Sequence, residues 1–290
     1  MKILLTGGRG QVGWELARTL STLGEVTALD SREMNLADPD AIRRVIGEIR
    51  PHVIVNPAAY TAVDKAESEP DLARAVNATA LGILAEEAEK LGALLVHYST
   101  DYIFDGSGET PWLEDDATGP LNVYGATKLE GENAIRERCR RHLIFRTSWV
   151  YGLRGANFLL TMRRLMRERP ELKIVADQIG APTWCRSLAE ATAQVLAQVG
   201  SPARGADKPE PWGVYHMTNG GETSWHGFAQ AILEFDKPET SARLLPIPSS
   251  DYPTPAKRPL NSRLDNEKLE RVFGIRLPDW RDALKLCMHP

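Results

Sequence analysis

The amino-terminal glycine turn is the feature that most constrains the fold of this chain. Residues 3–5 form an apolar run that predicts a buried parallel strand, and Val12 and Leu16 then begin a helical period. Three glycines separate the two elements in a GxxGxxG pattern: Gly7, Gly10 and Gly13. Glycines in this context permit a tight turn and let the backbone approach a pyrophosphate at the helix N-terminus. The pattern therefore favours a dinucleotide-binding turn over an ordinary surface turn.

An acidic residue ends the next predicted strand. Residues 25–29 form that strand, and Asp30 follows it directly. Dinucleotide-binding folds place an acid at this interval from the glycine turn, where it contacts the adenosine ribose. A turn acid or a helix cap is the alternative, and the interval favours the ribose.

The rest of the first half alternates between predicted strands and helices. Strands are predicted at 53–56, 94–97 and 143–146, and helices at 39–49, 70–91 and 122–138. This alternation predicts an α/β fold, a Rossmann-type doubly wound parallel sheet with helices on both faces. Ligands bind such sheets at the carboxyl ends of the strands. The residues that follow predicted strands are Gly7, Asp30, Ala59, Thr100 and Trp149.

Tyr124 and Lys128 carry the predicted chemistry. Residues four apart share one face of a helix, so the phenol and the ammonium are expected side by side. A nearby positive charge favours the phenolate and lowers the pKa of a tyrosine toward the working pH. Thr100 is placed to donate a hydrogen bond to a substrate carbonyl while Tyr124 delivers a proton. Each residue alone also fits a structural role, and only their combination with the glycine turn makes the catalytic interpretation strong.

The second half loses the regular alternation of strands and helices. The predicted domains are 1–150, which binds a nicotinamide cofactor, and 151–290, a smaller and partly interleaved substrate domain. A strand at 213–219 is expected to return to the first domain. Helices are predicted at 158–169, 188–199 and 224–235, a strand at 172–175 and a surface loop at 200–212. Residues 246–259 hold five prolines, which shape an irregular wall.

Charge and cysteine content exclude several classes of protein. A net charge of −4 gives no general attraction to nucleic acid or to anionic membranes. Three cysteines without a CxxC pair argue for a reducing cytoplasm. No apolar run approaches the roughly 20 residues of a membrane span, and no signal peptide precedes the first strand. We therefore expect a cytoplasmic protein without a membrane or nucleic-acid partner.

Seven segments spread over nearly the whole chain carry a family resemblance. They are GGRGQVGWEL, VNPAAYTAVDKAE, YSTDYIFDG, NVYGATKLEGE, FRTSWVYG, DQIGAPT and TPAKRPLNSRL. The chain resembles the extended short-chain dehydrogenase/reductases and, through the last four segments, their dTDP-4-dehydrorhamnose reductase branch. The resemblance implies NAD(P)H-dependent reduction of the C4 keto group of dTDP-4-dehydro-β-L-rhamnose (dTDP-6-deoxy-L-lyxo-4-hexulose). The product would be dTDP-L-rhamnose, in the last step of dTDP-rhamnose biosynthesis.

The resemblance also implies roles for individual residues. From the phosphates through the adenosine ribose and adenine to the nicotinamide, the implied cofactor residues are Gly10, Gln11, Val12, Asp30, Asn35, Leu36, Ala59, Tyr60, Thr61, Tyr124 and Lys128. The implied contacts to the sugar nucleotide are Thr100, Asp101 and Trp149.

Several of these assignments leave an alternative open. Arg258 is placed either to bind the substrate diphosphate in bidentate fashion or to cover the proline turn. Trp149 either stacks on a sugar or fills the core, and Gln178 either bonds the nucleotide or caps a turn. The small side chains of Ala58 and Ala59 fit either cofactor contact or close packing.

Cofactor and metal use depend on departures from the family pattern. Asp30 repels a 2′-phosphate whereas Ser31 and Arg32 accommodate one, and we expect NADPH with tolerance for NADH. Asn35 replaces an acid that is common on the adenine side.

Some relatives form a metal-bridged dimer through clustered glutamates. Here Arg186 replaces one such acid, and hard cations need several oxygen ligands, so we expect no bridging Mg²⁺ in a monomer or homodimer.

Two other functions remain open. One is a reductase or epimerase that acts on another nucleotide sugar. The other is a non-catalytic, cofactor-binding regulatory subunit resembling the β subunit of methionine adenosyltransferase. The presence of Thr100, Tyr124 and Lys128 weighs against the regulatory function.

Overall fold

The computed structural model describes residues 1–200, 210–237 and 242–289. The strands in these residues are β1 (Lys2–Leu5), β2 (Glu25–Ala28), β3 (Val53–Asn56), β4 (Leu94–Thr100), β5 (His142–Thr147), β6 (Val150–Tyr151), β7 (Glu171–Val175), β8 (Ile179–Gly180), β9 (Thr183–Trp184), β10 (Gly213–His216), β11 (Thr223–Ser224), β12 (Arg243–Ile247) and β13 (Asn261–Ser262). The α-helices are α1 (Gln11–Thr19), α2 (Pro39–Ile49), α3 (Val63–Ala66), α4 (Pro70–Arg74), α5 (Ala80–Leu91), α6 (Val123–Arg138), α7 (Phe158–Glu168), α8 (Cys185–Val199), α9 (Trp225–Asp236), α10 (Glu267–Phe273) and α11 (Trp280–Met288).

Six strands form one parallel sheet in the order β2-β1-β3-β4-β5-β10. Successive side chains of a strand project to opposite faces, so Ile3 and Leu5 enter one core cluster and Leu4 enters the other. Helices α1 and α8 cover the first face, and α2, α5 and α6 cover the second. All residues of β4 are buried as a result. The predicted doubly wound α/β fold is confirmed.

The helix that carries Tyr124 begins at a local capping signal. Asn122 accepts a hydrogen bond from the N–H of Gly125 at 2.8 Å and so satisfies a free donor of the first turn of α6. The side chain of Asn122 also donates to the carbonyl of Lys257 at 2.8 Å. The start of α6 is thereby tied to the proline-rich segment of the second half.

The predicted helix at 70–91 contains an interruption. A π-helical turn, Ala75–Thr79, joins α4 to α5. Within it Asn77 is buried, and its side chain bonds the backbone N–H and C=O of Tyr60 at 2.8 and 3.1 Å. Such turns recur at functional sites. This one positions the segment that follows β3.

The chain beyond residue 150 contributes to two cores. Strand β10 pairs with β5 at the edge of the central sheet, so the predicted returning strand is placed at Gly213–His216. Helix α8 begins at Cys185, earlier than predicted, and packs against α1. A third cluster joins α7, α9 and α11, and the pair β7–β12 runs parallel. The division at residue 150 stays a prediction, and most of the predicted loop at 200–212 lies outside the described residues.

The cysteines are Cys139, Cys185 and Cys287, all buried free thiols. Burial raises the pKa of Cys139 to about 11 and those of the other two to about 12, so all three are protonated at neutral pH. Within the ranges given above, no helix has the length and apolarity needed to cross a membrane.

Candidate active site

The glycine turn forms a cradle for a phosphate group. Gly7 has a positive φ of 59°, and a Cβ on it would lie 3.0 Å from the Cβ of Ala58. A Cβ on Gly13 would lie 2.1 Å from the carbonyl oxygen of Gly7, so only glycine lets α1 approach the turn this closely. Gly10 caps α1 without a side-chain hydrogen bond, which leaves the first-turn N–H groups without a side-chain partner. These features fit the pyrophosphate of a dinucleotide.

The next two predicted phosphate contacts are Gln11 and Val12, and their side chains contact other parts of the protein. Gln11 begins α1, and its Oε1 accepts a hydrogen bond from Asn157 Nδ2 at 2.8 Å. Val12 packs against the core. The backbone N–H groups of both residues are therefore the parts that suit a phosphate.

Asp30 lies between two arginines at the end of β2. Its carboxylate pairs with Arg9 at 2.8 Å and with Arg32 at 2.7 Å. The hydrogen bond from Arg32 lowers the pKa of Asp30 to about 2, so the carboxylate is ionised at neutral pH. Both arginine side chains are 68% exposed. Arg9 comes from the glycine turn itself, a contribution that the sequence did not predict.

The two predicted adenine-side residues differ in what they expose. Asn35 is exposed, and its Oδ1 accepts a hydrogen bond from the N–H of Ala37 at 3.0 Å. Leu36 is buried beside Met34 in the core, so its side chain is not at the surface. The predicted adenine contact of Leu36 could therefore involve only its backbone, and it stays a prediction.

The three predicted nicotinamide-side residues follow β3 at the same edge of the sheet. Ala59 and Tyr60 are half-buried and Thr61 is exposed. The Tyr60 hydroxyl donates to Glu69 at 2.7 Å, and burial together with that carboxylate raises the pKa of the phenol. Ala58 packs against the glycine turn, as the close-packing interpretation requires.

Tyr124 and Thr100 meet at the carboxyl end of β4. The Thr100 hydroxyl donates to Asp101 Oδ1 at 3.0 Å and accepts from the N–H of Tyr102 at 3.2 Å. Burial raises the pKa of Tyr124 to about 12, and a hydrogen bond with Thr100 opposes the rise. The phenol is therefore protonated at neutral pH. The fold brings the predicted hydroxyl and phenol together.

Lys128 makes contacts that the YxxxK pattern did not predict. Its Nζ lies 2.8 Å from His97 Nε2 and donates to the carbonyl oxygen of Tyr98 at 2.6 Å. Burial lowers the pKa of Lys128 to about 7, and Glu132 opposes the fall. The prediction that Lys128 lowers the pKa of Tyr124 is wrong for this structure. Burial of the phenol dominates, and the ammonium is bound to β4 instead.

Asp101 brings a carboxyl group to the same edge. It is 2% exposed, and burial raises its pKa to about 6 while hydrogen bonds from Ser262 and Thr100 oppose the rise. A carboxyl with this pKa can act as a hydrogen-bond donor or acceptor near neutral pH. Ser262 lies in β13, so the second half reaches the catalytic edge here.

Trp149 has a backbone conformation that is uncommon for a bulky residue. Its φ of 49° is in the left-handed region, where a Cβ is strained. The indole stacks on Trp225 with ring centroids 3.7 Å apart, and Trp225 Nε1 donates to Gln178 Oε1 at 3.1 Å. Gln178 Nε2 donates to Ser249 at 3.0 Å, so both ends of its amide bond within the protein. Strain at the end of β5 fits a functional role for Trp149.

Arg258 forms a bidentate ion pair with Asp64, a partner that the sequence patterns did not reveal. The two hydrogen bonds are 3.0 and 2.8 Å long, and they lower the pKa of the carboxyl. Asp64 lies in α3 and also accepts from the N–H of Ala256 at 3.2 Å. The pair fastens residues 254–258 to the first half. Contact between Arg258 and a diphosphate remains a prediction.

Arg186 forms an ion-pair cluster with two glutamates at the position where a bridging metal would need a further acidic side chain. Arg186 Nε lies 3.8 Å from Glu15 and 3.5 Å from Glu190. In the described parts of the chain, no group of three or more His, Cys, Asp or Glu side chains is arranged to hold a metal. The guanidinium places a positive charge beside both carboxylates.

Comparison with known proteins gives one family. The model of the RmlD substrate binding domain matches residues 1–290. A dTDP-4-dehydrorhamnose reductase of Burkholderia thailandensis is 53% identical over 296 residues, which cover 100% of this chain and 98% of the relative. The structure of a dTDP-4-dehydrorhamnose reductase from Clostridium acetobutylicum has a TM-score of 0.92 at 37% identity, over 100% of this chain and 99% of that one. A Bacillus anthracis dTDP-4-dehydrorhamnose reductase, solved in complex with NADP, has a TM-score of 0.91 at 33% identity, over 99% and 98% of the two chains.

Proposed function

This chain belongs to the dTDP-4-dehydrorhamnose reductase family, and we propose that it reduces the C4 keto group of dTDP-4-dehydro-β-L-rhamnose to give dTDP-L-rhamnose. The observation that carries the proposal is the meeting of Tyr124 and Thr100 at the carboxyl end of β4, in a chain that matches the family from end to end. A bound nicotinamide cofactor supplies the hydride to the carbonyl carbon.

Tyr124 donates the proton that the reaction consumes. As the carbonyl carbon is reduced, its oxygen gains negative charge, and the Tyr124 proton goes to that oxygen and leaves a phenolate. A pKa of about 12 keeps the phenol protonated until then. The Thr100 hydroxyl polarises the carbonyl, and the Lys128 ammonium binds the nicotinamide ribose.

The first half holds the cofactor. The N–H groups of the glycine turn and of the first turn of α1 bind the pyrophosphate, and Asp30 accepts hydrogen bonds from the adenosine ribose. Arg9 and Arg32 are exposed beside Asp30 and are placed to bind a 2′-phosphate. A carboxylate for the ribose and two guanidinium groups for the phosphate support use of both cofactors, with NADPH preferred.

The second half closes the sugar-nucleotide site. Asp101 and Trp149 lie at the ends of β4 and β5, where hydrogen bonds to sugar hydroxyls and stacking on the sugar would be made. Arg258 exchanges part of its pairing with Asp64 for the substrate diphosphate.

The decisive assay follows NAD(P)H oxidation at 340 nm on enzymatically prepared dTDP-4-keto-6-deoxy sugar, with and without a 3,5-epimerase. We expect oxidation only with the epimerase and rhamnose as the sugar of the product. Oxidation without the epimerase, or equal rates on GDP- or UDP-keto sugars, would point to a different reductase. Cofactor binding without oxidation would point to the regulatory function.

A further inference from the structure

A buried histidine beneath the catalytic lysine has no part in the chemistry described above, and we propose that His97 is a positioning residue for Lys128. The inference rests on the proposed function for its effect on turnover. His97 lies in β4 and is 1% exposed. Its Nε2 is 2.8 Å from Lys128 Nζ, and its Nδ1 is 3.1 Å from the backbone carbonyl oxygen of Asn56. The imidazole therefore bridges α6 and β3.

The neighbours of His97 select one neutral form of the ring. A charged ammonium only donates hydrogen bonds, so Nε2 accepts from Lys128 and the ring proton lies on Nδ1, facing the Asn56 carbonyl. The Asn56 side chain places its Nδ2 3.0 Å from the same nitrogen and its Oδ1 on the Thr6 hydroxyl, so this tautomer requires the amide to be turned over, with its oxygen toward the Nδ1 proton and its Nδ2 donating to Thr6. Burial and the Lys128 charge both lower the pKa of His97 well below its usual value. The ring stays an acceptor at neutral pH.

Two fixed contacts determine where the Lys128 ammonium points. Of its three N–H groups, one is taken by the Tyr98 carbonyl and one by His97, so these two contacts set the direction of the third. Without the imidazole acceptor, the flexible lysine side chain would be held at one point only. The ammonium would then lose both its direction and part of the stabilisation of its charge.

The charges around Lys128 do not replace this acceptor. Glu132 on α6 favours the charged lysine, but it is bound by Arg146 of β5 at 2.8 Å. Asn56 of β3 is neutral, and Asp101 acts on Tyr124 at the open edge. His97 is therefore the group that directly accepts a hydrogen bond from the buried ammonium through a side chain.

Three substitutions separate positioning from simple packing. In His97→Gln the amide oxygen can lie where Nε2 lies, whereas the shorter side chain of His97→Asn reaches only the Nδ1 position, and His97→Leu has no acceptor. We expect His97→Gln to keep kcat close to the unaltered protein. His97→Asn and His97→Leu should lose roughly 10-fold in kcat, the usual effect of removing one hydrogen bond to a charged group. The alkaline limb of their kcat profile should move about one unit to lower pH, because the ammonium form becomes less stable.

A titration of the cofactor-free protein gives a readout that needs no activity. The ¹³Cε resonance of Lys128 should titrate at lower pH in His97→Asn and His97→Leu than in His97→Gln, with thermal melting used to confirm that each variant is folded. The proposal would be overturned if Lys128 titrated at the same pH in all three folded variants. It would also be overturned if activity fell in step with melting temperature while the pH profile stayed unchanged. Failure of the unaltered protein to reduce the sugar would reject the proposed function and leave the lysine titration to decide this inference.

Discussion

Burial of the Tyr124 phenol keeps it protonated in the cofactor-free site. With a pKa of about 12, the phenol holds its proton at neutral pH and is poorly suited to act as a base. Reduction of a ketone consumes a proton, whereas oxidation of the alcohol would need the phenolate. A protonated phenol at this position is ready to act as the proton donor in a reduction.

Tyr124→Phe removes that proton and little else. We expect kcat to fall by ~10²-fold or more, the usual scale for a general acid, while NADPH binding measured by fluorescence stays intact. Tyr102→Phe is the matched control, because its ring packs edge-on against Tyr124 at 5.6 Å and loses a hydroxyl of the same kind. Near-normal turnover in Tyr124→Phe would remove it from the proton-donor role.

Arg32→Ala tests how the chain accepts a 2′-phosphate. The KM for NADPH should rise roughly 10-fold through loss of one charge-assisted hydrogen bond, and the KM for NADH should change little. Arg44→Ala removes a similarly exposed arginine on α2, away from Asp30, and should change neither KM. The expectation fails if the unaltered protein prefers NADH more than ~100-fold, about 2.7 kcal/mol.

At the scale of elements, apolar periodicity predicted the sheet because the strands are buried on both faces. Strand β3 lies at the predicted 53–56, where a buried run stands between Pro51 and Pro57. The π turn at 75–79 was missed because it depends on Asn77 meeting the backbone of Tyr60, and helical periodicity does not record such a tertiary contact. The positions of the strands were predictable and their ends less so: the fourth strand was predicted to end at residue 97, and β4 continues to Thr100.

Partners that come from distant segments were not predictable from spacing. The direction of the Lys128 ammonium depends on His97. In a strand that is buried on both faces, the alternation of side chains between the faces does not distinguish His97 from any other core position. The pairing of Arg258 with Asp64 joins residues 194 positions apart. A polar residue inside an otherwise apolar strand was the one signal that pointed toward His97.

The approach of α1 to the glycine turn predicts different outcomes for two Gly→Ala substitutions. A Cβ on Gly13 would meet the carbonyl of Gly7 at 2.1 Å, so Gly13→Ala should push the helix away, weaken NADPH binding ~10-fold or more and destabilise the fold by roughly 1–3 kcal/mol. Gly47 lies in α2 with nothing within 4 Å of an added Cβ. Gly47→Ala should keep cofactor binding and stabilise by up to ~1 kcal/mol. Denaturant unfolding and cofactor titration measure both, and equal effects would refute the close-approach argument.

At the scale of the whole molecule, one segment of the second half completes the site that the first half begins. Residues 254–262 reach α3 through Arg258, the cap of α6 through the Lys257 carbonyl and Asp101 through Ser262. Of the proposed catalytic groups, Thr100 lies on β4 and Tyr124 and Lys128 lie on α6, and this segment packs beside them. Local changes in the proline-rich segment should therefore affect substrate binding more than cofactor binding.

Arg186 bears on whether the molecule needs a divalent cation. Its guanidinium lies near both Glu15 and Glu190, so positive charge beside these carboxylates is supplied by the chain itself. We expect kcat to be unchanged by EDTA or by added Mg²⁺. Arg186→Glu would instead gather three carboxylates, and Mg²⁺ should then raise its melting temperature because the cation relieves their repulsion. Arg44→Glu makes the same change of charge on α2 and should not respond to Mg²⁺. Loss of turnover by the unaltered protein in EDTA, restored by Mg²⁺, would mean that the arginine does not stand in for a metal.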